Sequence, residues 1–463
     1  MAILGLIGTE QFYNQRTRNY RRRVFYQYPN GSAPLTGLLS LMGEETTNDP
    51  EFSWWEKRMA EQWSTTVDVS TTVQFTSWNG TTLGTAAATG NITFAPGERT
   101  GIEVADASQF RVGHIAMANF FYLTSGLQEV KFEVEAVDQT NNVLGIKCLQ
   151  GHATNDLDYD YDYDTNSVDR QVLIIGSAHA QGAVGAATSP YTLPIQPENY
   201  CQIFRTPFQI TGSALKTSAK YDETGPYKDQ AKEVSINHMI EMEKAFMFGV
   251  KSVGFGTTID PSRPSSSTTL PTYTTGGIIY HLEQWETGTP YGVTAATTNA
   301  HDNKRIINIA DESGSNVTLD EFEVFLERVF RTTNNKANEK LCLCGNGFLR
   351  QVQLMYKNTV TMNVNVPYKE AYGMAVVKHV TPFGTLYYKT HPLFNQNSSL
   401  RSNGLIVDPG FLKYRYMAGR DTELLTERQA RNADYREDEW FTDAGLEVRF
   451  PEAHMYIKNL VFG

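Results

Sequence analysis

The chain has 463 residues, 40% of them apolar and 12% aromatic, with a formal net charge of −11. That composition supplies enough apolar surface for two or three packed domains and excludes a disordered chain. The acidic balance excludes a general nucleic-acid coat, because such binding is driven by Lys and Arg displacing the counterions of phosphates.

Four cysteines, Cys148, Cys201, Cys342 and Cys344, are too few for a disulfide scaffold. Cys342 and Cys344, in "LCLCGNG", lack a second Cys or His pair nearby and are expected as small buried residues of one strand face. At the start, basic residues follow a short apolar run, the reverse of a secretion signal. No apolar window reaches membrane-spanning length. The expectation is synthesis in a reducing cytoplasm, without signal-peptidase cleavage and without a membrane.

In chain order, residues 1 to about 50 read as an arm. Arg16, Arg18, Arg21, Arg22 and Arg23 face only Glu10 in the first forty positions, and no helical or alternating pattern is sustained. A solvated terminus and a tether lying on a neighbouring subunit or near packaged nucleic acid both fit. Trp54, Trp55 and Trp63 then mark arrival at a packed surface. In "TVDVSTTVQFTSWNG", Val67, Val69, Val73 and Phe75 alternate with polar residues, predicting one long strand closed by an Asn79-Gly80 type I′ turn. The expected returning strand is "NYCQIFRTPFQITGSALKT" at 199–217, leaving 81 to about 198 as an insertion. Within it, "FRVGHIAMANFFYL", "VKFEVEAVDQTNNVLGIKCLQG" and "RQVLIIGSA" predict a small β subdomain.

From residue 225 the period changes. Pro226 opens a helix that Gly249 ends, and Ala231, Val234, His238, Met242, Ala245 and Phe246 recur at steps of three and four. His238 is expected there as a satisfied core histidine. After a Ser/Thr/Pro-rich break, Thr318 and Glu321 form a capping box for a helix through "FEVFLERVFRTT". A strand at "KLCLCGNG", a helix at "GFLRQVQLMYKN" and a hairpin at "YGMAVVKHVTPFGTLYYKTH" follow. The terminal "DAGLEVRFPEAHMYIKNLVFG" is strand-like and is expected to return to the unit built on the long helix.

Catalytic and cofactor signatures are missing: no phosphate-binding GxxxxGK[ST], no HExxH, no GxSxG, and no dinucleotide fingerprint. No cofactor and no enzymatic activity are expected. The run "DLDYDYDYDTNSVDR" places Asp156, Asp158, Asp160, Asp162 and Asp164 on one face of an extended chain. Counted from Asp158, a helix-loop-helix calcium loop would need Gly where Tyr163 stands and Glu where Asp169 stands. The economical reading is an exposed acidic edge that discourages strand pairing; a cation site at Asp158, Asp160, Asp162 and Asp164 is the alternative.

The blocks "FRVGHIAM", "VEAVDQTNNVLGIKCLQG", "IIGSAHAQGA", "NYCQIFRTPFQITGSALKT", "IEMEKAFMFG", "YTTGGIIYHL" and "GLEVRFPEAHMYIKNL" resemble those of a phage major head protein family. The order of arm, long hairpin, long helix, α/β unit and final strand is similar to the tailed-bacteriophage major capsid protein of the Hong Kong 97 fold. The resemblance implies an α+β chain with an N-arm at 1–50, the start of a peripheral domain at 51–63, and an E-loop at 64–212 carrying an inserted β subdomain at about 95–185. It further implies peripheral domain at 213–264 with a spine helix at 226–249, an axial domain at 265–420, and C-terminal strands at 421–463 returning to the peripheral domain. The implied function is self-assembly into an icosahedral or prolate head around double-stranded DNA, held non-specifically at the inner face. The implied partners are copies of the chain in pentamers and hexamers, cement or decoration proteins, a portal and a separate scaffolding protein, with assembly in the host cytoplasm. Arg16, Arg18, Arg21, Arg22, Arg23, Val67, Val69, Val73 and Phe75 are the expected assembly residues. Two alternatives stand beside this: a virion-surface carbohydrate- or receptor-binding β protein with a calcium-aided acidic site, and a hydrolase with a non-local site.

Overall fold

The computed structural model describes residues 43–462 apart from 59–61, 67, 70–71, 74, 88–91, 123–125, 152–155, 158–170, 183–190, 218–224, 256–270, 289–303, 310–315, 332–337, 359–368 and 372–373. Its architecture is mixed α and β, with three large sheets and three two-stranded ones among the described residues. A central mixed sheet of seven strands runs in the order Ile306–Asn308, Met455–Lys458, Gly404–Val407, Glu339–Cys344, Thr385–Thr390, Met374–Val380, Lys369–Ala371. Both faces of its middle are covered, so Glu339–Cys344 and Gly404–Val407 are near-continuous apolar runs without alternation.

On one face lie the helices Leu319–Arg331 and Asn346–Asn358, where Phe322, Phe325, Leu326, Phe348 and Met355 pack against Cys342, Cys344, Leu386 and Ile406. Both cysteines are fully buried on this face, as expected of small strand residues. On the other face, Leu341, Leu343, Leu405 and Val407 share a core with Ile240, Met242, Phe246 and Met247 of the long helix. That helix spans Pro226–Phe248, ends at Gly249 as expected, and buries the stripe from His238 to Met247. The capping box also forms: the Thr318 N–H donates to Glu321 Oε2 (2.8 Å) and the Glu321 N–H to Thr318 Oγ1 (3.3 Å).

A flank sheet of Glu44–Thr47, Leu412–Met417, Tyr435–Val448 and Gln202–Thr211, with Glu423–Leu425 beside Tyr435–Val448, lies against the long helix. Here one face is open, and Gln202–Thr211 alternates, with Phe204, Phe208 and Ile210 buried. The third sheet has ten strands between Trp63 and Ser177 and its own core around Phe94, Phe120, Phe132, Val134 and Ile146. The strands His114–Tyr122, Gly126–Asp138, Val143–Gln150 and Gln171–Ser177 fall at the strand blocks of the sequence, but the sheet also takes in Trp63–Thr65 and Phe75–Trp78, ahead of the expected insertion.

Three strand expectations need correction. The stretch from 64 to 78 is not one strand: Asp68–Val69 and Thr72–Val73 fold back on each other, Asp68 opposite Val73 and Val69 opposite Thr72. Alternation states which side chains share a face and is blind to whether one part of the run folds back on another. The strand Phe75–Trp78 returns through Leu83–Ala87, with Trp78 opposite Leu83. The connection is a four-residue loop in which Asn79 Oδ1 accepts from the Thr81 and Thr82 N–H groups, and only Gly80 has positive φ, so it is no type I′ turn. Gln202–Thr211 pairs instead with Tyr435–Val448, ten residues in register from Gln202 opposite Ala444 to Thr211 opposite Tyr435.

Two strands also cross the expected unit boundaries. Leu412–Met417 joins the flank sheet, and of the terminal strands only Tyr435–Val448 returns to the long helix, while Met455–Lys458 enters the central sheet between Ile306–Asn308 and Gly404–Val407.

Candidate assembly surfaces

The inserted sheet is joined to the body by a two-stranded ribbon. Residues 51–56 run antiparallel to 195–200, Glu51 opposite Tyr200, Phe52 opposite Asn199, Ser53 opposite Glu198, and Glu56 bridging Ile195. Successive side chains on a strand point to opposite sides. Phe52, Trp54 and Glu56 therefore face inward, and all three are buried. The Trp54 Nε1–H donates to Glu56 Oε1 (2.8 Å), which also accepts the Phe450 N–H (3.0 Å). Arg58 grips Glu452 with two bonds of 2.8 Å and Glu56 with one of 2.9 Å, its guanidinium 4.8 Å from the Trp285 ring. Burial pushes the Glu56 carboxyl up, against the lowering pull of Trp54, Phe450 and Arg58. This inner face anchors the ribbon to the C-terminal turn.

The outer face is different. Trp55 is 67% exposed, and on the segment leading into the second strand Tyr191 and Leu193 are 72% and 77% exposed. Lys57 Nζ sits 3.9 Å from the centre of the Tyr191 ring. Large apolar groups so open, one of them edged by a cation, match the composition of binding hot spots more than that of an ordinary surface. Further along, Glu51 and Glu198 are hydrogen-bonded to each other, which raises Glu51, while Lys251 holds Glu198 low.

Two lesser surfaces belong to the sheets. On the inserted sheet Trp63, Leu173 and Met117 are opposed in one row, and Leu173 and Ile175 are exposed. On the central sheet, Val380 and Phe383 project where Met374–Val380 turns into Thr385–Thr390. The flank sheet, by contrast, spends its cations internally: Arg205 and Arg428 on Glu439, Arg436 on Asp438, Arg420 on Asp443, Arg415 and Arg449 on Glu447. These arginines leave little free positive charge for phosphates. Among the described residues, no group of three or more His, Cys, Asp or Glu could hold a metal ion.

The model of one family, SU10 major capsid protein, matches residues 7–461. The chain belongs to that family. Its work is structural, as a building block of a phage head shell, and the receptor-binding alternative finds no support. A curated relative, the major capsid protein of Pseudomonas phage PaMx41, is 22% identical over 416 residues, covering 88% of this chain and 80% of the relative. Two solved structures are more distant. The capsid asymmetric unit of cyanophage A-1(L) has a TM-score of 0.39 at 9% identity, covering 61% of this chain and 85% of its own. A chain of Mycobacterium phage Adephagia has 0.38 at 9%, covering 96% and 92%. At those scores the two likenesses add nothing to the family match.

For a capsid-family chain the expected assembly residues distribute unevenly. Arg16, Arg18, Arg21, Arg22, Arg23 and Val67 lie outside the described residues, as do Asp158, Asp160, Asp162 and Asp164. Val69, Val73 and Phe75 lie in short strands of the inserted region. Trp54 is buried and Trp63 half-buried as a packed surface requires, but Trp55 points out. The exposure of Trp55, Tyr191 and Leu193 went unpredicted. One signal was available: adjacent tryptophans in an extended strand must face opposite ways, so one of the pair had to be outward.

Proposed function

We propose that this subunit builds the capsid by burying the outer face of the ribbon, and the apolar rows of the two sheets, against other copies of itself. The observation that carries the reading is the exposure of Trp55 on a strand pair whose inner face is firmly anchored, with Tyr191 and Leu193 exposed on the segment that leads into its second strand. A lone chain leaves these groups wet, and a symmetric assembly gains by covering them. Many modest contacts in a closed shell then act together.

In this reading residues 1–50 are the N-arm and 64–212 the E-loop with its inserted β subdomain. The long helix and flank sheet form the peripheral domain, and the central sheet with its two helices the axial domain at the centres of pentamers and hexamers. The basic arm lies near packaged double-stranded DNA while the acidic body repels it, which keeps the genome free to enter and leave. Scaffolding, portal and cement components are separate chains, assembly takes place in the host cytoplasm, and the subunit performs no catalysis.

The test is electron microscopy of the expressed chain with its scaffold supplied, comparing wild type with Trp55→Ala/Leu193→Ser. Wild type is expected as shells. The double variant is expected to fold normally by circular dichroism yet assemble at a subunit concentration about tenfold or more higher, the equivalent of losing about 1.4 kcal/mol or more per contact. Wild type that stays monomeric at high concentration with scaffold present would overturn the reading.

A further inference from the structure

The helix-covered face of the central sheet holds a cation and a carboxylate with no part in the surfaces above. The antiparallel register that sets Leu341 opposite Val407 makes Lys340 and Asp408 directly opposed neighbours. Both are buried, at 0% and 1% exposure. Lys340 Nζ donates to the Ala453 carbonyl at 2.6 Å and lies 4.0 Å from Asp408 Oδ2, beyond hydrogen-bond reach. Asp408 Oδ1 accepts the Gly410 N–H at 3.0 Å, whereas Oδ2 accepts no hydrogen bond among the described residues. A buried carboxylate with one oxygen unserved is a costly arrangement that calls for a cause.

We propose that Lys340 and Asp408 are joined in the mature protein by an intramolecular amide between Nζ and Cγ. A proton passes from the ammonium to the carboxylate, and the neutral amine attacks Cγ. The Nζ–Cγ bond forms, the Cγ–Oδ2 bond breaks, and Oδ2 leaves as water with one further proton from nitrogen. No oxidant, reductant or third reactant is needed.

Three features favour the step. The groups are held together by paired strands, so the reaction carries the high effective concentration of an intramolecular one. Burial depresses the Lys340 amine to about 8 and raises the Asp408 carboxyl, which eases the first proton transfer. The product removes two buried charges and the orphan oxygen together, and the Gly410 N–H remains on the oxygen that becomes the amide carbonyl. The bond would close a long loop through the central sheet and so restrict the unfolded chain, as a disulfide does. It depends on the fold alone and is independent of how the subunits assemble.

The test is tryptic peptide mass spectrometry on the full-length wild-type protein, with intact mass alongside. The expected result is loss of cleavage at Lys340 and a branched peptide joining the Lys340 segment to Ser402–Lys413, lighter than the sum of its parts by one water. Asp408→Asn is expected to give the same branch with loss of ammonia, and Lys340→Arg to give only linear peptides. Recovery of both wild-type segments as linear peptides, with cleavage at Lys340, would overturn the proposal and leave a buried ion pair. That readout needs no variant, so a substitution that fails to fold cannot obscure it.

Discussion

His238 links the long helix to the flank sheet: its Nδ1 is 2.8 Å from Thr206 Oγ1 and its Nε2 2.8 Å from Thr442 Oγ1. It is 1% exposed, the satisfied core histidine that its place on the apolar face predicts. The buried His281 and His454 and the half-buried His379 are also held neutral. Burial lowers His281 and His454 to about 3 and His379 to about 4. Each stays neutral in the fold while the unfolded chain takes up a proton below about 6.5. The unfolded state thus binds more protons as pH falls, so the contribution to stability is present above 6.5 and is lost on the way down to about 3 or 4. Between pH 7 and 5 each of these histidines is expected to withdraw about 1–2 kcal/mol. Urea unfolding of His281→Gln against wild type across that range is expected to show a shallower pH dependence; parallel curves would refute the assignment. The burial of His281 and His454 is invisible in sequence, because it depends on elements far along the chain from each.

Among the elements, the helices were the most legible. Periodicity at three and four, Pro226 at the first turn and the Thr318–Glu321 box are local signals, and local hydrogen bonds answer them. Thr318→Ala is expected to cost about 1 kcal/mol, concentrated in faster amide exchange across Leu319–Arg331. Unchanged exchange there would mean that packing of Phe322, Phe325 and Leu326 holds the helix without its cap. Strands were legible as segments, not as pairs. Nothing within 202–211 specifies Tyr435–Val448 as its neighbour, since register is set by faces buried only after folding. The break in the 64–78 run has the same origin: pairing Asp68–Val69 with Thr72–Val73 leaves the alternating pattern nearly intact.

For the whole molecule, the ribbon controls how the inserted sheet is carried. Arg58 is its clamp, with Glu56 almost fully buried and Glu452 nearly so. Replacing Arg58 with Met leaves both carboxylates without their cation. The expected cost is about 3–5 kcal/mol of stability, seen as a lowered midpoint in chemical denaturation. A loss below about 1 kcal/mol would mean that solvent reaches the pair and screens it. Assembly of a folded Arg58→Met chain is expected to be impaired as well, because Trp55 is carried by the ribbon that Arg58 fixes and Leu193 adjoins Thr192, whose hydroxyl donates to the Arg58 carbonyl.

By itself, the order of residues determined the α+β class, the long helix and its ends, the capped helix, the buried cysteine strand, the inserted β region and the family resemblance. Each rests on spacing within a short window, which sterics and local hydrogen bonding convert directly into structure. Tertiary structure alone decided that 202–211 lies beside 435–448, that 455–458 enters the central sheet, that 51–56 runs beside 195–200, and that Lys340 opposes Asp408. Those outcomes join residues tens to hundreds of positions apart, and only the burial of shared apolar faces selects one such pairing over the others.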